Sequence, residues 1–223
     1  MTKAQELLQE VIAELAPMSA QMRDHPYLIA LEQGDIPRER LSAFVGEQHT
    51  IVESDMRSFA VIMSRCEAPH SREFFQGVLP DEDAAFRTLG SLAAALGLDQ
   101  AWLNQYEPHP LAQAYTHYLA WLAHYGSPAE LAAALLINFA AWGAACVRMG
   151  AALRDRYGLD SEATAFFDRF TPSPSPQFEE GVRLVVAEGL TGSVTETKIK
   201  RAARLLQIYE AWFWDAVFQA STS

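Results

Sequence analysis

The sequence predicts an all-α protein, a bundle of helices packed around one central helix, on three observations. Apolar residues recur at three- and four-residue spacing along most of the chain, and no segment alternates apolar and polar side chains as a strand does. The stretch Leu131–Leu153 carries only two polar side chains, Asn138 and Arg148. A helix that is apolar on every side has to be surrounded by other helices. Its ends are marked: Gly126 closes what precedes it, Ser127 is an N-cap, Pro128 takes the first helical position, Glu130 completes a capping box and Gly158 ends it.

The flanking elements follow in order. Leu7, Leu8, Val11, Ile12 and Leu15 form a stripe on a first helix, residue 3 to about 15, with Pro17 as its expected end. A short helix covers about 26–33 and stops at Gly34. Asp35-Ile36-Pro37 opens a long helix to about Cys66, whose core face through Phe44, Ile51, Phe59 and Ile62 is interrupted by Gln48 and Asp55. Pro80 separates two expected helices, Pro69 to about Leu79 and Asp81 to about Leu96. Leu98–Pro110 reads as a connection, with His109 as a turn and capping residue before a helix marked by Tyr115, Tyr118, Leu119 and Leu122. Past the central helix come a short helix at Ser161–Arg169, a stiff loop at Thr171–Pro176, a helix at Phe178–Glu188 and a turn at Gly189–Gly192. Ser193 to Glu196 reads as a capping box for a last helix to about Phe218. One domain is expected over residues 1–223. A chain of this length, half of it apolar, buries about 70–75% of its unfolded surface without disulfides or a structural metal.

Charge narrows the partners. Seventeen basic against 28 acidic residues give a net −11, and there is no basic stripe to neutralise phosphates, so neither nucleic acid nor an anionic membrane is an expected partner. Asn138, Arg148 and the abundance of Ala make Leu131–Leu153 a poor membrane span. The N-terminus has acidic residues and lacks the apolar core of a signal peptide, which places the expected location in the cytoplasm. Cys66 and Cys146 lack metal-ligand spacing and are expected to be reduced, buried and inert. No cofactor and no metal is expected: Glu47, His49 and Glu53 are available to a di-iron site, but the last helix offers only Glu210 and Asp215 and no histidine.

Three polar residues stand where apolar ones are expected. Asn138 lies about three turns inside the central helix, where its amide needs partners or costs roughly 1–3 kcal/mol. It is either a hydrogen bond between helices or the floor of a pocket, with Trp142 one turn on to stack a flat ligand. Gln48 either bonds a neighbouring backbone group or faces the same pocket. Glu210 sits among Tyr209, Trp212, Phe213 and Trp214, and either points outward or stands against aromatic walls that raise its pKa and suit it to proton transfer.

Several landmarks together resemble a known family. His25-Pro26-Tyr27-Leu28, Leu31-Glu32-Gln33-Gly34 with Ile36-Pro37, Pro108-His109-Pro110 with Ala114-Tyr115, Ala134-Leu135-Leu136 and Tyr209-Glu210-Ala211-Trp212-Phe213-Trp214-Asp215 are similar to stretches of the TenA, thiaminase II-like family, in the family's order and over nearly the whole chain. The resemblance implies a heme-oxygenase-like helical bundle with one enclosed central pocket, assembled as a homo-oligomer, dimer or tetramer. It implies a hydrolase of thiamin metabolism that cleaves aminopyrimidine compounds with a cysteine nucleophile, an aspartate on the pyrimidine, tyrosines and a last-helix glutamate. Tyr115 and Glu210 carry over as catalytic residues. The cysteine position holds Asn138, the aspartate position Gln48, the tyrosine one turn after it Ile51, and the tyrosine after the nucleophile Trp142. An amide cannot form the covalent intermediate of a thiolate, and Cys146 lies about 12 Å further along the axis. Gln48, Asn138 and Trp142 are therefore expected to bind a flat, nitrogenous small molecule, and hydrolysis would need a water nucleophile. The alternatives are a ligand-binding protein without turnover and a heme-oxygenase-like oxidase acting on another substrate.

Overall fold

Four helices begin at a proline whose preceding side chain can accept a hydrogen bond from the first turn. In the computed structural model, which describes residues 1–222, all four side chains do so: His25 from Tyr27 N, His109 from Leu111 N, Ser127 from Glu130 N and Ser175 from Phe178 N. Ser223 lies outside the described residues. Proline costs nothing at the first helical position, because the N–H it lacks has no helical partner there. Capped in this way are α2 (Pro26–Gln33), α6 (Pro110–Tyr125), α7 (Pro128–Tyr157) and α9 (Pro176–Thr191). The others are α1 (Lys3–Arg23), α3 (Ser42–Ser64, entered by a 3-10 turn at Arg38–Leu41), α4 (Pro69–Ala95), α5 (Gln100–Gln105), α8 (Ala165–Asp168) and α10 (Glu196–Thr222). There is no strand among the described residues.

The centre is where it was expected. Leu131 to Asn138 are buried without interruption, because α7 is packed against α10, α9, α2, α1 and α8. Its Ser127–Glu130 capping box is present, and Gly158 ends it in the left-handed region at φ 65°. Among the described residues α7 alone is long and apolar enough to cross a membrane, and 72% of its most apolar window is buried inside the bundle. Its second polar residue, Arg148, makes a two-pronged contact with Glu32 of α2 (Nε–Oε1 2.6 Å, Nη2–Oε2 2.7 Å) and also donates to the Arg23 carbonyl at the end of α1. One guanidinium thus ties three helices, in the fork geometry that suits carboxylates.

Several boundaries differ from expectation. Pro17 does not end α1, nor does Pro80 divide α4; both lie inside continuous helices. Each ring is on the solvent side, and the carbonyls it frees, of Ala13 and Gln76, belong to exposed residues that water can satisfy. A proline inside a helix costs about 3 kcal/mol. Continuing the helix buries Met22 in one case and Ala85, Leu89 and Leu92 in the other, at roughly 1.5–3 kcal/mol for a fully buried large side chain. The connection before α6 contains the short α5, capped by Asp99. Helix α9 runs on to Thr191, through the expected turn, and the cap of α10 is Thr195, whose Oγ1 accepts from Lys198 N at 3.4 Å, not Ser193.

Candidate functional site

Helix α3 presents Gln48, Ile51, Asp55 and Phe59 at intervals of three and four, so they share one face. That face meets Tyr115 of α6, Asn138 and Trp142 of α7 and Glu210 of α10, while α4 contributes Glu82 and Ala85. All five residues singled out from the sequence, Gln48, Tyr115, Asn138, Trp142 and Glu210, line this hollow. Asp55 and Glu82 join them. Asp55 had a signal, the polar break in an apolar stripe. Glu82 had none, since in Asp81-Glu82-Asp83 it looks like part of a solvated acidic run.

The hydrogen bonds divide the polar atoms into engaged and free. Tyr115 Oη donates to Asn138 Oδ1 at 3.2 Å, Trp214 Nε1 donates to Glu210 Oε1 at 2.9 Å, and Thr116 Oγ1 donates to Asp55 Oδ1 at 2.5 Å. Asn138 is therefore an interhelical hydrogen bond through its oxygen. Its Nδ2, on a residue 2% exposed, closes no hydrogen bond. A buried unpaired donor is uncommon in native proteins and needs a reason. The indole of Trp142 is covered on one face by Phe44, stacked at 6.2 Å and 7°, and bordered edge-on by Phe166, Phe170 and Phe213.

Three carboxyls and no basic side chain line the hollow. Burial pushes Glu210 up to about 7, against the pull of the nearby Asn138 amide, whose Nδ2 closes no hydrogen bond, and of the Trp214 N–H. Asp55 is raised by burial and by the charge of Glu210, with the Thr116 hydroxyl opposing. Glu82 is raised by desolvation and then by the charges of Asp55 and Asp81, with Arg169 opposing. Tyr115 is held far above its ordinary range, first by burial, and stays a donor. Like charges this close cannot all ionise without a cation among them.

The hollow is small, about 40 Å³, room for a water or two. A heterocycle enters only if part of the wall moves. Glu82, Phe139 and Phe170 are the half-buried part of that wall, the rest being buried, and the strap 171–175 that follows Phe170 lies across α7 at Gly143, where a Cβ would overlap the Thr171 carbonyl oxygen. Gly143→Ala is expected to cost about 1–3 kcal/mol and to lift Phe170 from Trp142. A lower urea midpoint and an altered near-UV aromatic spectrum are the readouts; an unchanged midpoint would mean that the strap is not seated there.

Residues outside the hollow are disposed otherwise. Cys146 is fully buried, does not line the hollow and has a thiol raised well above its usual pKa by burial; Cys66 is also buried and raised. The acidic and histidine residues weighed for iron do not converge. Glu47 accepts from Tyr106, His109 and Gln113, Asp215 meets His25, and His49 and Glu53 lie at a separate surface depression. Among the described residues no three such side chains are arranged to hold a metal ion.

Residues 12–220 match the TENA/THI-4/PQQC family. Among solved structures, the chain is similar to a TenA homologue from P. horikoshii OT3 (19% identity, TM-score 0.75, covering 96% of this chain and 99% of that one). It is similar to a TenA homologue from Pseudomonas syringae pv. tomato (13%, 0.79, 95% and 92%) and to cyanobacterial heme oxygenase-1 from Synechocystis in complex with heme (13%, 0.68, 96% and 91%). At these identities the likeness is one of fold, a heme-oxygenase-like bundle. No curated protein sequence matches.

Proposed function

The chain belongs to the TENA/THI-4/PQQC family, and from that membership we propose that it is a thiaminase II-like pocket protein that takes a flat nitrogenous molecule, an aminopyrimidine or related thiamin-metabolism compound, without using a cysteine nucleophile. The observation that carries the reading is the free Nδ2 of Asn138, a buried donor beside Glu210 in a hollow rimmed by carboxyls. A nitrogen heterocycle supplies what is missing: a ring nitrogen as acceptor for Nδ2, amino hydrogens for the carboxyls, and positive charge on protonation.

In turnover, Glu210 is the acid/base group, since a pKa of about 7 leaves comparable amounts of both forms at neutral pH. The balanced step is hydrolysis: a water oxygen bonds to carbon, the C–N bond breaks, and Glu210 moves the proton from water to the departing nitrogen. Tyr115 holds Asn138 in place and Gln48, which makes no side-chain hydrogen bond to the described residues, is free for the ligand. Glu210→Gln is expected to lower turnover of an aminopyrimidine substrate at least about a hundredfold while leaving the ligand's stabilisation of the fold within a few degrees. Unchanged turnover in that variant would remove Glu210 from the chemistry. The second reading, binding without turnover, is favoured by Asn138 at the nucleophile position; it predicts that aminopyrimidines raise the melting temperature and that no product forms.

The proposed setting is a cytoplasmic homo-oligomer. Support for assembly comes from the partly exposed aromatic strip on α6 and α10, where Trp121, Tyr125 and Trp212 stand outward beside Tyr118 and Tyr209, a kind of patch that monomers seldom leave open.

A further inference from the structure

A second and much larger space adjoins the hollow. It is a groove of about 940 Å³ between α4, α9 and the 170–176 strap, and four residues, Glu82, Ala85, Phe139 and Phe170, line both it and the hollow. Its size is that of a small-molecule site, about 300–1,000 Å³; the hollow alone falls far short. Its apolar walls come from Phe74, Val78, Phe139, Phe170, Phe178 and Leu184. Its ionisable groups are four carboxyls, Glu73, Asp81, Glu82 and Glu180, against the guanidinium of Arg169 and the imidazole of His70. Arg169 is taken up by Asp81 at 3.6 Å and Glu180 by Arg183. Glu73 and Glu82 make no ion pair among the described residues.

We propose that this groove binds the apolar body of an amphiphilic amine, whose protonated nitrogen passes Phe139 and Phe170 to reach Glu82 and the carboxyls beyond. The inference rests on the hollow being a ligand site and adds what the rest of the ligand is. Hydrocarbon or aromatic surface is matched by the phenylalanine walls, worth about 0.8 kcal/mol per buried methylene. Positive charge is matched by the unpaired carboxyls, by the phenylalanine faces and by a chain of net charge −11. A carboxylate or phosphate end would meet repulsion. Glu82, common to both spaces and raised by burial and by the charges of Asp55 and Asp81, releases its proton to solvent as an arriving ammonium pairs with it.

Gly77 makes the groove testable. It is exposed on the groove side of α4, and a Cβ there meets nothing within 4 Å, so Gly77→Phe can add an aromatic ring at the groove without a clash at its Cβ. The probes are linear alkylamines from butyl to decyl, with alkanols and alkanoates of matching length, titrated calorimetrically into the full chain below micellar concentrations. Affinity for the amines is expected to rise roughly tenfold per added pair of methylenes up to octyl, with alkanoates unbound. Gly77→Phe is expected to abolish that rise, and Glu82→Gln to remove the preference for amine over alkanol while keeping the chain-length dependence. No dependence on length, octanoate binding as tightly as octylamine, or full octylamine affinity in Gly77→Phe would each overturn the proposal. So would self-association that Gly77→Phe abolishes, since the groove would then be a seat for a second copy. A small aminopyrimidine serves as the separate control. If it stabilises both parent and Gly77→Phe while octylamine fails, only the groove is refuted; if octylamine behaves as expected and no aminopyrimidine binds, only the reading of the hollow is.

Discussion

Without a ligand, the chain is expected to lose about 3 kcal/mol of stability through Glu210 alone as the pH rises from 4.5 to about 7, the ordinary and the folded-state values of that carboxyl. Between those values the folded state keeps a proton that the unfolded chain has released. The contribution is thus fully present below pH 4.5 and is lost as pH climbs through about 7. Asp55 and Glu82, raised by the same burial and mutual repulsion, add to the fall in the same direction, although the three titrate as one coupled set and their shares do not sum. Glu210→Gln keeps an oxygen for the Trp214 N–H and has no proton to lose. The variant is therefore expected to match the parent near pH 4 and to exceed it by about 3 kcal/mol near pH 8. Urea unfolding across this range reads both; parallel profiles for parent and variant would show that Glu210 is hydrated and not part of a dry site. The same physics gives the hollow its preference. A protonated base restores the charge balance, so binding one is expected to release protons from the cluster into the buffer.

Glu47→Ala is expected to cost about 3–5 kcal/mol, a large share of a typical total of roughly 5–15. Glu47 is 1% exposed and accepts three hydrogen bonds, from Tyr106 Oη at 2.9 Å, His109 N at 2.7 Å and Gln113 Nε2 at 2.8 Å. Truncation leaves three donors under the surface with nothing to bond, at roughly 1–3 kcal/mol for each that water cannot reach. The ring of Tyr106 also lies over Gly46, where a Cβ would be 2.5 Å from it, so the segment before α6 is clamped to α3 immediately beside Gln48. Glu47→Gln, which retains an acceptor, is expected to cost about half as much. Should the Ala variant unfold within about 1 kcal/mol of the parent, the clamp is not holding α3 against α6.

Local chemistry explains which parts of the fold were legible. A proline with a cap before it, or a glycine in the left-handed region after it, acts within one turn, so the start of α7 and the ends of α2 and α7 could be placed from the chain alone. Pro17 and Pro80 could not be placed, because their effect depends on which side faces water and on what the rest of the helix buries, and both are tertiary facts. The site shows the same division. Asn138, Gln48 and Asp55 are visible as polar breaks in apolar stripes, and Glu210 as a carboxyl among aromatics. Glu82 is invisible for want of a local contrast: its neighbours in sequence are acidic and exposed, and only the packing of α4 against α3 turns it inward.

From the residues alone came an all-helical bundle, α7 as its centre, the family resemblance and five of the side chains that line the hollow. The bundle and its centre depend on periodicity and capping, Asn138, Gln48 and Glu210 on a polar group out of place, Trp142 on its position one turn after Asn138, and Tyr115 on the resemblance. Each is a property of a residue and its near neighbours or of a short motif. The bundle decided the rest: that the hollow is only about 40 Å³, that it holds three carboxyls and no cation, that Asn138 Nδ2 is left unpaired, and that a groove many times larger adjoins it. Volume, desolvation and unmet hydrogen bonds arise between elements far apart in the chain, and a linear pattern contains no distance between them.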